Sequence, residues 1–262
     1  AYEWGSATLI TRFRLNPARS SDVRLTMTGN DAIALGAISG GVRFCAFYPM
    51  TPSTQIPLSL VKHGDAAGVI VEQAEDEIAA INMAIGASYA GAPAMVATSG
   101  GGFALMAEGV SLAAMTETPV FIVVGQRPAP ATGLPTRTEQ SDLEFVLHAG
   151  HGEFPRAVFA PGSVEECWRL TRRALALAEK YQGPVFLLTD QFLADSYRAV
   201  APFDIEDDLT AVYNVPPSEV PYNRYRITET GVSPRLLPGA GEMLVVADSD
   251  EHPEDGHITE DL

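Results

Sequence analysis

Between Arg43 and Val124, short apolar runs alternate with longer segments of helical period, and that alternation restricts the chain more than any other feature. Strands are expected near Arg43 to Phe47, Gly68 to Glu72, Pro93 to Thr98 and Pro119 to Val124. Helices are expected near Ser53 to Lys62, Glu75 to Tyr89 and Phe103 to Met115. Strand–helix–strand repeats pair their strands in parallel and cover both sheet faces. The expected fold class is therefore α/β, with a doubly wound, mostly parallel sheet. Ahead of the repeats, Asn30 is placed to cap a short apolar helix ending at Gly40-Gly41. Beyond them, Ser163 and Glu166 form a capping box. The helix they open carries Val164, Cys167, Trp168, Thr171, Ala174, Leu175, Ala178 and Tyr181 on one face, and Val185 to Leu188 reads as the last clear strand.

Of the 262 residues, 46% are hydrophobic and 19% charged, which suffices for a sizeable core and argues against wholesale disorder. The net charge of −16 excludes an ordinary nucleic-acid surface, which needs clustered Lys and Arg. No apolar run reaches the length of a membrane-spanning helix. The opening residues carry Glu3, Arg12 and Arg14 and do not resemble a signal peptide. Cys45 and Cys167 are too few for an iron–sulfur cluster, which takes about four thiolates. They are expected in the core, and such thiol usage fits a reducing, cytoplasmic setting. The chain divides into a leader or linker (1–26), the main domain (27–195), a proline-rich extended arm (196–242) and the start of a further, incomplete segment (243–262). The arm is expected to pack on a neighbouring domain or partner chain, with a flexible tether as the alternative, and Met243 to Ala247 is a candidate strand. The missing initial Met and the acidic ending suggest a segment of a longer polypeptide.

Several residues could carry chemistry. Pro49 and Pro52 force the chain out of the sheet after Phe47, leaving Thr51 on a rigid turn at a strand's carboxyl end, where open α/β sheets bind ligands. A plainer view makes this a strand-to-helix turn with Ser53 as N-cap. Glu75, Asp76 and Glu77 open a helix; acids in a first turn need no role beyond complementing the helix dipole. Glu77 differs because the helix after it is nearly apolar all round and should be buried. Burial disfavours its charge while the dipole favours it, a balance suited to proton relay. Arg127, ending a strand, is a natural clamp for a carboxylate, and Arg137 lies in a loop too long to be a mere connector. A salt bridge to Glu139 or Asp142 is the alternative. The Thr98–Gly102 run fits neither a dinucleotide fingerprint nor a P-loop. His148 and His151 have the spacing of a metal pair on a helix, but Gly150, Gly152 and Pro155 argue against a helix there, and no third ligand is near.

Tyr48-Pro49-Met50-Thr51-Pro52-Ser53 resembles the YPITPSS-type turn of 2-oxoacid:ferredoxin oxidoreductases, in the part that binds the pyrimidine half of thiamine diphosphate. The resemblance continues in family order through Thr28 to Gly36, Glu75-Asp76-Glu77 with Ala84 to Gly91, Thr98 to Phe103, Thr132 to Gln140 and His151 to Arg156. It covers roughly Met27 to Asp190, with a further match from Ser233 to Asp261.

That resemblance implies a pyrimidine-domain type of fold and an alpha-type subunit that oxidatively decarboxylates a 2-oxoacid with coenzyme A, giving acyl-CoA, carbon dioxide and reduced ferredoxin. It implies that Glu77 bonds the aminopyrimidine ring as catalytic acid–base, and that Pro49, Gly100 and Gly101 approach the cofactor. Thr51 and Arg127 would hold the oxoacid, and Arg137 a distal carboxylate. The Thr132–Gln140 loop looks more like that of 2-oxoglutarate-type members. Neither the diphosphate and Mg2+ signature nor a cysteine cluster is present, so a beta-type partner subunit is expected to carry Mg2+ and the iron–sulfur cluster. The Glu77 helix and the acidic arm are candidate contact surfaces for it. A transketolase-like pyrimidine domain and a non-catalytic α/β assembly subunit are the alternatives.

Overall fold

The structure, a computed structural model, describes residues 2–8, 22–205 and 221–261; the remainder of the leader and the part of the arm at 206–220 lie outside the described residues. In chain order the elements are α1 (Tyr2–Thr8), β1 (Leu25–Met27), α2 (Gly29–Ser39), β2 (Phe44–Phe47), α3 (Gln55–His63), β3 (Ile70–Gln73), α4 (Glu77–Tyr89), β4 (Ala94–Ser99), α5 (Gly100–Leu105) and α6 (Ala107–Met115). Then follow β5 (Val120–Gln126), α7 (Leu143–His148), β6 (Ala157–Phe159), α8 (Val164–Tyr181), β7 (Pro184–Asp190), α9 (Gln191–Asp195) and β8 (Arg198–Val200).

Six strands form one parallel sheet in the order β3-β2-β4-β5-β7-β6. β4, β5 and β7 are buried along their whole length, as expected of strands covered on both faces. The edge strands β3 and β6 are less buried, and β3 carries Glu72, a charge that discourages further pairing. On one face α2, α3 and α8 pack over Cys45, Met95, Phe121 and Leu187. On the other, α4, α5, α6 and α7 pack over Val96, Ile122, Val124 and Phe186. Phe103, Phe121 and Phe186 are fully buried, each contributing about 1.5–3 kcal/mol. Cys45 and Cys167 are both core residues, and burial pushes their thiols up to about 12.

The doubly wound parallel sheet agrees with the expectation, whereas several local assignments differ. Thr28, not Asn30, caps α2: its side chain accepts from the Asp31 N–H and the Asp31 carboxylate returns a bond to the Thr28 N–H. Ser53 caps nothing; α3 begins at Gln55, and the Ser53 hydroxyl donates to the Met50 carbonyl at 2.8 Å. The helix expected from Phe103 to Met115 starts at Gly100 and breaks at Met106 into α5 and α6. α4 is not buried all round, because Ile78 and Met83 sit on an exposed stripe. Tyr181 is likewise exposed, lying at the fraying end of α8. Met243 to Ala247 forms no strand. The segment turns back on its neighbours, with Gly256 (φ 87°) so close to the Val246 carbonyl that a side chain there would collide. β6, α7, α9 and the antiparallel pair β1–β8 were not foreseen.

The described part of the arm packs on this chain's own domain. Arg235 donates to the Glu179 carboxylate of α8 at 2.8 Å and to the Ser88 carbonyl of α4 at 2.6 Å, and all three residues are buried. Arg224 donates to the Glu117 carbonyl at 2.7 Å. Burial pushes the Glu179 carboxyl above the usual range, and Arg235 opposes that shift. Arg235→Met should therefore leave a buried, uncompensated carboxylate and cost about 3–5 kcal/mol in urea unfolding at neutral pH. Without Arg235 the folded-state value of Glu179 rises further above its unfolded one. The deficit should then be largest at high pH and shrink as pH falls through that raised value. A deficit independent of pH would show that Glu179 is not the group responsible.

Candidate functional site

β2 and β4 are neighbours, yet α3 leaves β2 for one face and α5 leaves β4 for the other. The carboxyl ends of this pair therefore border the crevice that an α/β sheet opens where its winding reverses. Thr51 belongs to the turn after β2, and Ser99 to Gly102 to the turn after β4. Glu77 opens α4, beyond the end of β3, and Arg127 directly follows β5.

Thr51 and Pro52 lie outside any helix or strand, so their carbonyls need partners from elsewhere. Arg127 donates from Nη1 to the Thr51 carbonyl at 2.7 Å, and Asn30 donates from Nδ2 to the Pro52 carbonyl at 2.9 Å. Pro52 also packs against Gly125, where a Cβ would lie 3.0 Å from its ring. Thr51 is half-buried; Pro49 and Tyr48 are exposed.

Glu77 is only 3% exposed, and its Oε1 has no hydrogen-bond partner. Asp76, not Glu77, caps α4, accepting from the Ala79 N–H at 2.7 Å. The Glu77 carboxylate is thus free of capping duty. It lies against the start of α5: a Cβ on Gly102 would sit 2.5 Å from Glu77 Oε1 and closer still to Thr98 Oγ1. Burial pulls the Arg127 guanidinium below its ordinary pKa, and the Glu77 charge partly offsets this. The two groups therefore sense each other across the crevice. Arg127 Nε is buried without a partner, so both side chains present unmet hydrogen-bonding capacity.

A second carboxylate borders the glycine run. Asp142 donates its N–H to Gln126 Oε1 at 3.0 Å, and a Cβ on Gly100 would be 2.5 Å from either carboxylate oxygen. Burial, and then the Glu139 charge, push Asp142 above the usual carboxylate range. Gly101 faces the Ala131 carbonyl, so the 128–142 loop lies over the run. Gln140 ties that loop to Asp190, the last residue of β7.

The sheet ends thus bring Thr51 and Arg127 together, with Glu77 and the glycine run beside them. Arg137 stands apart: it is exposed, and among the described residues its guanidinium bonds only to its neighbour Thr136 and no salt bridge joins it or Arg127 to Glu139 or Asp142. His148 ends the short helix α7 and faces Glu144 at 3.4 Å; the helix stops there, so none carries both His148 and His151, as expected. His151 lies past Gly150, with its N–H on Ser111 Oγ. Asn30, Gln126 and Asp142 escaped sequence reasoning as members of the site. Asn30 looked like a cap, and the other two gave no local signal.

The family described as pyruvate flavodoxin/ferredoxin oxidoreductase, thiamine diphosphate-binding, matches residues 35–262. The alpha subunit of 2-oxoacid:ferredoxin oxidoreductase 1 from Sulfurisphaera tokodaii is 44% identical over 96% of this chain and 42% of its own. The KorA subunit of 2-oxoglutarate synthase from Methanothermobacter marburgensis is 48% identical over 63% of this chain and 44% of its own. A solved 2-oxoglutarate:ferredoxin oxidoreductase from Magnetococcus marinus, with 2-oxoglutarate, coenzyme A and succinyl-CoA bound, superposes with a TM-score of 0.91. It is 40% identical and covers 99% of this chain and 46% of that one. The chain spans less than half the length of these relatives.

Gly102→Ala tests the glycine run. Gly102 lies inside a helix, so alanine suits the backbone and the penalty is steric. Displacement of Glu77 and Thr98 should cost about 1–3 kcal/mol in thermal or urea unfolding. Unchanged stability would mean that Glu77 does not press on α5.

Proposed function

The chain belongs to the thiamine diphosphate-binding family of pyruvate flavodoxin/ferredoxin oxidoreductases, and on that premise we propose that it is the pyrimidine-binding part of a 2-oxoacid:ferredoxin oxidoreductase alpha subunit, decarboxylating 2-oxoglutarate oxidatively with coenzyme A to succinyl-CoA, carbon dioxide and reduced ferredoxin. The observation that carries this reading is the buried, unpartnered Glu77 Oε1 beside the crevice of the sheet.

These residues fit the cofactor's pyrimidine. Glu77 offers a free acceptor at Oε1, set against the Gly100–Gly102 run at the crevice. Thiamine diphosphate, when bound, supplies the carbanion chemistry through which a 2-oxoacid loses carbon dioxide. Glu77 accepts a ring hydrogen bond and holds or moves the proton there. The partly unpaired Arg127 attracts the oxoacid carboxylate while fixing the Thr51 turn, so that Thr51 is presented to the keto end. Arg137, with only local bonds, is available for the distal carboxylate of 2-oxoglutarate. The diphosphate, Mg2+ and iron–sulfur cluster are assigned to a beta-type partner subunit that completes the active site across an interface. The setting is cytoplasmic; among the described residues no helix is long and apolar enough to cross a membrane. The boundaries at residues 26, 195 and 242 remain the proposed division of the chain.

The test is 2-oxoglutarate-dependent viologen reduction by the full-length alpha subunit with its partner. Glu77→Gln should lower kcat by about 10²–10⁴-fold with assembly intact. Turnover within twofold of the unaltered enzyme would refute the role of Glu77. Arg137→Ala should raise the KM for 2-oxoglutarate by about 10–100-fold, the loss of one charged hydrogen bond, and leave that for 2-oxobutyrate unchanged. An equal effect on both substrates would remove Arg137 from the distal contact.

A further inference from the structure

The His151–Arg156 run has no part in the crevice, yet Phe154, Pro155 and Arg156 wall a cavity of about 350 Å³ at the opposite end of the sheet. This cavity lies at the amino ends of β6 and β7. The last turn of α8, with Leu177, Tyr181 and Gln182, and the Val232 segment complete it. Its size is that of a small-molecule site.

Two of its polar groups lack the partners they need. Gln182 is 5% exposed; its Nε2 donates to the Ser233 carbonyl, which fixes the amide, but Oε1 is buried with no donor. Arg156 donates only from Nη1, to the Val146 and Ala149 carbonyls at 2.8 and 2.9 Å, and its guanidinium lies 4.1 Å over the Phe154 ring. No carboxylate pairs with it among the described residues. Glu117, the acid in the wall, is already engaged by Arg224 at 3.3 Å. A second cavity of about 380 Å³, at the amino end of α8, is different: Ser163 and Asp190 already accept from Glu166, Leu193 and Gln140.

We propose that the cavity at the amino ends of β6 and β7 is a second ligand site, for a small monocarboxylate bearing an apolar body and one hydrogen-bond donor. The free edge of Arg156 takes the carboxylate, Gln182 Oε1 takes the donor, and Phe154, Leu177 and Val232 enclose the body. A single cation beside Glu117 favours one negative charge over the two of a phosphate.

Indole-3-acetate has these three features and serves as the probe, titrated calorimetrically into the assembled full-length enzyme. Saturable binding, one per chain, is expected. Arg156→Met should weaken it at least about tenfold, and indole, which lacks the carboxylate, should not distinguish that variant from the unaltered protein. Val232→Trp fills the cavity without touching Arg156; it should abolish binding and leave 2-oxoacid turnover without the probe unchanged. This readout is independent of catalysis, so it can fail while the assignment of Glu77 stands, and the converse. Absence of saturable binding at millimolar probe, or affinity unchanged from the unaltered protein in either variant, would overturn the proposal.

Discussion

Two side chains hold a turn that could not hold itself. Proline removes two donors between Tyr48 and Thr54, and the turn after β2 leaves carbonyls that no regular structure satisfies. Arg127 from the end of β5 and Asn30 from α2 meet them. Both donors are buried, so losing either would strand a carbonyl in the interior. The position of Thr51 therefore depends on two elements far from it in sequence. The Glu77 charge also offsets part of the burial effect on Arg127, so the residue that holds the turn is electrostatically linked to that carboxylate.

At the start of α4, capping falls to one acid and leaves the next one free. A first-turn acid in a helix is usually occupied by the backbone, but Asp76 takes that duty at α4 and leaves Glu77 Oε1 unmet. The glycine run then allows the carboxylate to be buried without a bond, since any side chain at position 102 would displace it. An unmet buried acceptor is costly unless something donates to it. The fold keeps such an acceptor where the sheet is open to a ligand.

The sheet was legible because its central strands are apolar on both faces and bounded by Gly and Pro, a pattern with few other solutions. Glu77 stood out because an apolar helix followed it, although Ile78 and Met83 prove exposed and the burial belongs to one face. What the sequence concealed was tertiary. The Arg127–Thr51 contact joins residues 76 apart and Asn30–Pro52 joins residues 22 apart, and neither leaves a periodic trace. Thr28 was missed as a cap because Asp31, rather than Glu or Gln, closes its box. β1 and β8 are only three residues each, and nothing in either run indicates its partner.

The Arg235 contact with Ser88 has a mechanical corollary. Ser88 lies in the last turn of α4 and Glu77 in the first, so one helix of about 20 Å connects the docked tail to the crevice. α4 is packed along its length against β2, β4 and α6 as well. The docked tail and the Glu77 carboxylate therefore share one rigid support.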